Sequence, residues 1–107
     1  MLRPIGKTFE VKPSKRFYIP RKWRDKFNWI QGHSVSLRFQ ESNLIIQEEV
    51  SETDMVCVIG RKGSIFIPAE AIGKLNRKKI RFLSVYVDEA KKNIVLVPKS
   101  NTSHLKD

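Results

Sequence analysis

The stretch Lys15-Arg16-Phe17-Tyr18-Ile19-Pro20-Arg21-Lys22-Trp23-Arg24 places five cationic side chains within ten residues, and Lys12 and Lys26 extend the run on either side. An arginine fork donates two parallel hydrogen bonds to a phosphate or to the O6/N7 edge of a guanine, while a lysine acts mainly as a point charge on phosphate. The chemistry implied is recognition of a polyanion. A quieter version of the stretch lies at Lys62-Gly63-Ser64-Ile65-Phe66-Ile67-Pro68, where Arg61, Lys62 and Lys74 are the counterpart candidates. Arg77, Lys78, Lys79 and Arg81 form a further basic patch. The contact set expected from sequence is therefore Lys12, Lys15, Arg16, Arg21, Lys22, Arg24, Lys26, Arg61, Lys62 and Lys74. The plain alternative is a solvated basic face that only keeps the chain soluble. Tyr18, Trp23 and Trp29 could stack on bases. Trp23 with Phe27 has helical i, i+4 spacing, however, which points to a core face.

No other constellation carries chemistry. His33 and His104 are far apart, and neither has a Cys or His neighbour at metal-ligand spacing. Glu48-Glu49 reads as a solvated linker pair. Gly60-Arg61-Lys62-Gly63 lacks the remaining phosphate-loop pattern. Cys57, the single cysteine, sits in an apolar run and reads as a small buried hydrophobe. The expectation is no enzyme, no catalytic residue, no metal and no cofactor.

The bulk numbers agree with polyanion binding. The chain has 107 residues, a formal net charge of +10 and 40% apolar residues. Ten Lys/Arg stand against five Asp/Glu in residues 1–50, and eleven against six in residues 51–107. The charge is thus spread over the whole chain and attracts nucleic acid more than it suits a membrane or an acidic protein. No apolar run approaches the ~20 residues that cross a bilayer, and the start has no signal-peptide core. A soluble cytoplasmic protein is expected.

These side chains need elements to position them. Residues 5–11 alternate loosely as a first strand. Arg16–Ile19 is a β-rich run closed by Pro20, which opens a two-turn helix over residues 21–27. Val35, Leu37 and Phe39 alternate with polar residues, and Leu44–Ile46 returns as a hairpin. The second half repeats this order. Strands are expected at 55–59 and 64–67, a helix from Pro68 to Leu75, and a hairpin from 80–87 to 94–97. At an offset of 48, Phe17, Ile19, Pro20, Trp23 and Phe27 fall on Ile65, Ile67, Pro68, Ala71 and Leu75, and Val35, Leu37 and Phe39 on Leu83, Val85 and Val87. The offset becomes 50 at Leu44/Ile94, because the second hairpin turn is two residues longer. The reading is two repeats, 1–50 and 51–98, followed by a frayed polar tail, 99–107.

Lys15-Arg16, Ile19-Pro20, Arg24, Phe27, Gly32, Val35 and Leu37 in the first half resemble the AbrB/MazE/SpoVT swapped-hairpin family of bacterial DNA-binding proteins. Gly63-Ser64, Ile67-Pro68, Leu75, Leu83 and Val85 carry the same resemblance in the second half. It implies a mainly β fold with two short helices, an interleaved swapped-hairpin, double-psi-like barrel formed by two repeats of one chain. It also implies double-stranded DNA as partner, and singles out Arg16 and Arg24. The second half departs from this pattern, with Ser64 opposite Arg16, Ile72 opposite Arg24 and Ile80 opposite Gly32.

The function expected is a sequence-preferring transcriptional regulator, a repressor acting by promoter occlusion. The alternative is an antitoxin-like or phage-encoded module that binds another protein; a third reading is a general RNA or single-strand binder. A homodimer of the two-repeat chain is compatible with each. A half of about 50 residues buries too little apolar surface to offset its chain entropy. Residues 1–50 expressed alone are therefore expected not to fold as a monomer. A dispersed NMR spectrum from monomeric 1–50 would overturn the interleaved picture.

Overall fold

Two Ile-Pro pairs set the frame. In each, proline holds φ near −60° with extended ψ, so a strand ends and a helix begins at one residue. A computed structural model of the chain describes residues 2–11, 15–48 and 54–99. The linker residues 49–53 and the tail from 100 onward, where parts of the sequence reading fall, lie outside the described residues. The strands are β1 (Leu2–Glu10), β2 (Arg16–Tyr18), β3 (Ser34–Gln40), β4 (Asn43–Gln47), β5 (Met55–Val58), β6 (Ser64–Phe66), β7 (Phe82–Asp88) and β8 (Asn93–Pro98). The helices are α1 (Arg21–Phe27) and α2 (Ala69–Arg77), and a short 3-10 turn spans Arg61–Gly63.

Six strands form one antiparallel sheet in the order β1-β7-β8-β4-β3-β5, while β2 and β6 pair only with each other. The strands of the two halves cross over. The first strand of each half lies against the hairpin of the other, as β1 on β7 and β5 on β3, and the two hairpins meet at β4 and β8. The expected barrel is not closed, and this corrects the sequence reading. β1 and β5 are the outer strands of an open sheet. The β2–β6 ribbon, three residues per strand, pairs with neither of them. The ribbon instead covers the core, with Phe17 and Ile65 buried beneath it.

Matching backbone bonds occur in both halves. The Ile19 N–H donates to the Gly63 carbonyl and the Ile67 N–H to the Lys15 carbonyl, at 2.9 and 2.8 Å. Val11 N–H to Arg81 and Ile59 N–H to His33 form a second such pair, both 2.9 Å. The hairpin turns are residues 41–42 and 89–92, so the two-residue difference lies where the sequence placed it. α1 ends where the sequence reading placed it, whereas α2 runs past the expected Leu75 to Arg77. α1 stops in a left-handed Asn28 with Trp29 N–H bonding back to the Arg24 carbonyl. α2 ends the same way at left-handed Lys79, with Ile80 N–H on the Leu75 carbonyl. Ile80 is thus the counterpart of Trp29, not of Gly32. A longer second helix is offset by a shorter link to the next strand.

Alternation puts Val35, Leu37, Leu44, Ile46, Leu83, Val85, Val87, Ile94 and Leu96 on the core face, against Trp23, Phe27, Trp29, Ala71, Ile72 and Leu75. Phe27 packs its ring against Trp29 at 5.1 Å between centroids. Trp29 is therefore core, and its indole N–H reaches Glu48 at 3.4 Å. Glu48, expected as a solvated linker acid, also pairs with Lys92 at 3.3 Å. That indole bond, ahead of Lys92, holds its carboxyl below the ordinary range. Among the described residues, no helix is long and apolar enough to cross a membrane.

Lys15 and Gly63 are counterparts, and both have left-handed backbone, φ 55° and 76°. Only glycine adopts this without strain. Gly63 has a second constraint, because the Arg24 side chain occupies the space of any Cβ there. Lys15→Gly is expected to stabilise the fold by about 1 kcal/mol, and Gly63→Ala to destabilise it by about 2 kcal/mol or more. Chemical denaturation of the two variants checks both signs.

Candidate nucleic-acid interface

With Phe17 and Ile65 buried, period-2 geometry turns Arg16, Tyr18, Ser64 and Phe66 to the outer side of the β2–β6 ribbon. Arg16 lies opposite Phe66 and Tyr18 opposite Ser64. The Arg16 guanidinium packs over the Phe66 ring, 4.6 Å from its centroid, and its Nη1 donates to the Tyr18 hydroxyl at 3.3 Å. Both rings stay in solvent, Tyr18 48% and Phe66 59% exposed. The arginine is therefore held upright between two aromatic side chains with donors still free to fork. Such contacts at exposed sites are worth about 0.5–1 kcal/mol, enough to bias a rotamer without burying the charge.

The flanks of the ribbon are basic. Arg61 and Lys62 are exposed on the turn that leads into β6. Lys15 is half-buried just before β2, with its carbonyl committed to Ile67. Arg24 points inward along the same flank. Its Nε donates to the Ile19 carbonyl at 2.9 Å and its side chain lies across Gly63. Arg24 thus ties α1 to the turn of the other half, a positioning contact that the resemblance does not imply. Arg21 faces solvent and comes within 3.9 Å of Asp25 on its own helix.

A second basic cluster forms where α1 meets β1. The Trp23 ring has Lys22, Arg3 and Lys26 around it, at 5.1, 5.6 and 5.7 Å. Glu89, from the turn between β7 and β8, accepts from Lys26 at 2.6 Å and from Arg3 at 3.0 Å. The Lys26 bond chiefly, then the nearby positive charge, holds the Glu89 carboxyl below the usual carboxylate range. Lys74 does not join the ribbon contacts; it lies over the Phe39 ring at 4.3 Å, and Lys78 bonds Ser42 at 3.2 Å. Lys12 lies outside the described residues.

Sequence reasoning left Phe66 and Arg3 out of the contact set. Phe66 carried a signal, since it alternates with buried Ile65 and Ile67. Arg3 carried none. It reaches the cluster because β1 pairs with β7, where Arg3 is opposite Val87, two residues before Glu89. Among the described residues no group of His, Cys, Asp and Glu could hold a metal. The Cys57 thiol donates to the Phe66 carbonyl at 3.2 Å, and burial pushes its pKa up, so it stays protonated and a poor nucleophile at neutral pH.

Glu89 competes with any external anion for Arg3 and Lys26. Its depressed pKa means the pairs persist above the ordinary carboxylate range and are lost only as pH falls through the lowered value. Glu89→Gln at neutral pH is expected to tighten heparin binding several-fold and to steepen the log–log salt dependence by about one unit. An unchanged salt slope would show that this cluster does not meet the polyanion. Comparison with protein-family models, with curated proteins and with solved structures found no match to this chain.

Proposed function

We propose that this chain is a sequence-preferring double-stranded DNA-binding regulator, a repressor that occludes promoters. On this reading it consists of two tandem swapped-hairpin units of the AbrB/MazE/SpoVT kind, exchanging their first strands within one chain. The observation that carries the reading is Arg16, held between Tyr18 and Phe66 on the outer side of a two-stranded ribbon. A two-stranded ribbon fits the major groove of B-DNA, about 12 Å wide. The flanking Arg61, Lys62 and Lys15, and the Lys22–Lys26–Arg3 cluster, supply phosphate contacts on either side.

The ribbon pairs Phe17 with Ile65, and the bonds on each side of that pair are reciprocal. Such twofold backbone geometry matches the local twofold of a duplex. The side chains break the symmetry, because Ser64 stands where the first half has Arg16. The two half-sites are therefore unequal in base sequence. Binding alone performs the function, in the cytoplasm, with no cofactor and no catalytic step.

A second reading, a module that binds another protein, has one observation in its favour. The outer strand β5 shows Val56 and Val58 at 53% and 59% exposure, and the neighbouring turn adds exposed Ile30. Gly32 N–H on the Ile59 carbonyl fixes that turn beside the strand end. A short apolar edge of this sort can accept a strand from a partner or from a second copy.

Selection from a randomised duplex pool, followed by titration across a salt series, tests the principal reading. With about six phosphates engaged, the log–log slope should be about −5. Arg16→Ala should lose at least tenfold in affinity for the selected duplex while keeping the wild-type circular dichroism and melting curve. Failure to enrich any duplex, or equal binding to single strands, would sink the reading.

A further inference from the structure

Two aromatic rings left in water on a strongly basic ribbon need a reason, because bare stretches of Arg and Lys would bind phosphate equally well. Phe66 and Tyr18 occupy corresponding positions, one on each strand, on either side of the Phe17–Ile65 pair. Neither ring joins the core beneath the ribbon. The Arg16 guanidinium lies over one face of Phe66, and the rest of the ring stays in solvent. What remains exposed is apolar surface directly beside a donor fork.

We infer that this ribbon reads a thymine next to a guanine in the major groove, with Phe66 against the thymine 5-methyl group and Arg16 on the guanine. The inference rests on the duplex-DNA reading given above. In the major groove the thymine methyl is the apolar feature of the base edges, and the guanine O6/N7 pair is the best acceptor for an arginine fork. The two lie on neighbouring base steps. The guanidinium and the Phe66 ring are likewise adjacent, the fork lying over the ring 4.6 Å from its centroid. Tyr18 holds the other side of Arg16 through its hydroxyl, which fixes the fork's direction. Ser64, lacking both charge and ring, gives the other half no such reader, so the thymine–guanine step belongs to one half-site only.

The methyl group can be removed without touching any hydrogen bond, by replacing thymine with deoxyuridine. The experiment uses the full-length protein and the duplex enriched in the selection, with each thymine replaced in turn. One replacement, adjacent to a guanine, is expected to weaken wild-type binding about fourfold, the effect of losing one buried methyl. The salt slope should not change, because no phosphate contact is lost. Phe66→Ala should bind the thymine and deoxyuridine duplexes equally. Phe66 is largely exposed, so this variant is expected to fold, and its melting curve verifies that. Tyr18→Phe should lower the preference for that guanine while leaving the methyl effect in place.

Wild type binding every deoxyuridine duplex as well as the parent would overturn the inference alone. So would a Phe66→Ala protein that still discriminates. Failure to enrich a duplex would overturn both this inference and the reading on which it rests.

Discussion

Two reciprocal hydrogen bonds, Ile19 N–H to Gly63 and Ile67 N–H to Lys15, clamp the ribbon of β2 and β6. They constrain everything around them. They fix where each strand stops and where Pro20 and Pro68 can start a helix. They also force left-handed backbone at Lys15 and Gly63, the two residues whose carbonyls accept. Only one of the two is a glycine. The glycine leaves room for Arg24, which crosses it to bond Ile19 and so locks α1 to the turn of the opposite half. The lysine sits in a costly conformation, and the strain is held in place by the ladder around it.

The same crossing organises the sheet. β1 pairs with β7 and β5 with β3, so each of these outer strands finds its neighbour in the other part of the chain. Charged contacts follow the same pattern. Lys26 of α1 reaches Glu89 between β7 and β8, while Lys74 and Lys78 of α2 reach Phe39 and Ser42 at the first hairpin. The outer strands are treated differently. β1 carries Pro4, a register shift and Lys7, devices that discourage further pairing. β5 is short and bears exposed valines instead.

The basic residues divide by role once they are seen in place. Arg16 is displayed, Arg24 is spent on internal bonding, and Arg21 is loosely tied to its own helix. Lys22 and Lys26 converge with Arg3 on one tryptophan and are partly neutralised by Glu89. A run that looks uniform in the sequence thus becomes one presented fork, one structural strut and one screened cluster. The difference matters for affinity, because a cation already paired with a carboxylate releases fewer counterions on meeting phosphate.

The elements were legible in the sequence because local chemistry dictates them. Ile-Pro ends a strand and opens a helix wherever it falls, and α1 occupies the residues that Pro20 and the Trp23/Phe27 spacing imply. Alternation at 83, 85 and 87 likewise gave the buried face of β7. The hairpin turns differ in length by the two residues that the change of offset required. What the sequence could not hold was everything that depends on strand neighbours. Hydrophobic pattern specifies a buried face but not which edge pairs with which, so an open six-stranded sheet and a closed barrel share one pattern. Trp29 and Ile80 became counterparts only through their bonds at the helix ends. Arg3 joined Trp23, and Arg24 turned away from solvent, through contacts spanning tens of residues. Sequence by itself determined the charge and the order of strands and helices. Tertiary structure alone decided which cations remain free, because that depends on the carbonyls, rings and carboxylates that long-range pairing brings beside them.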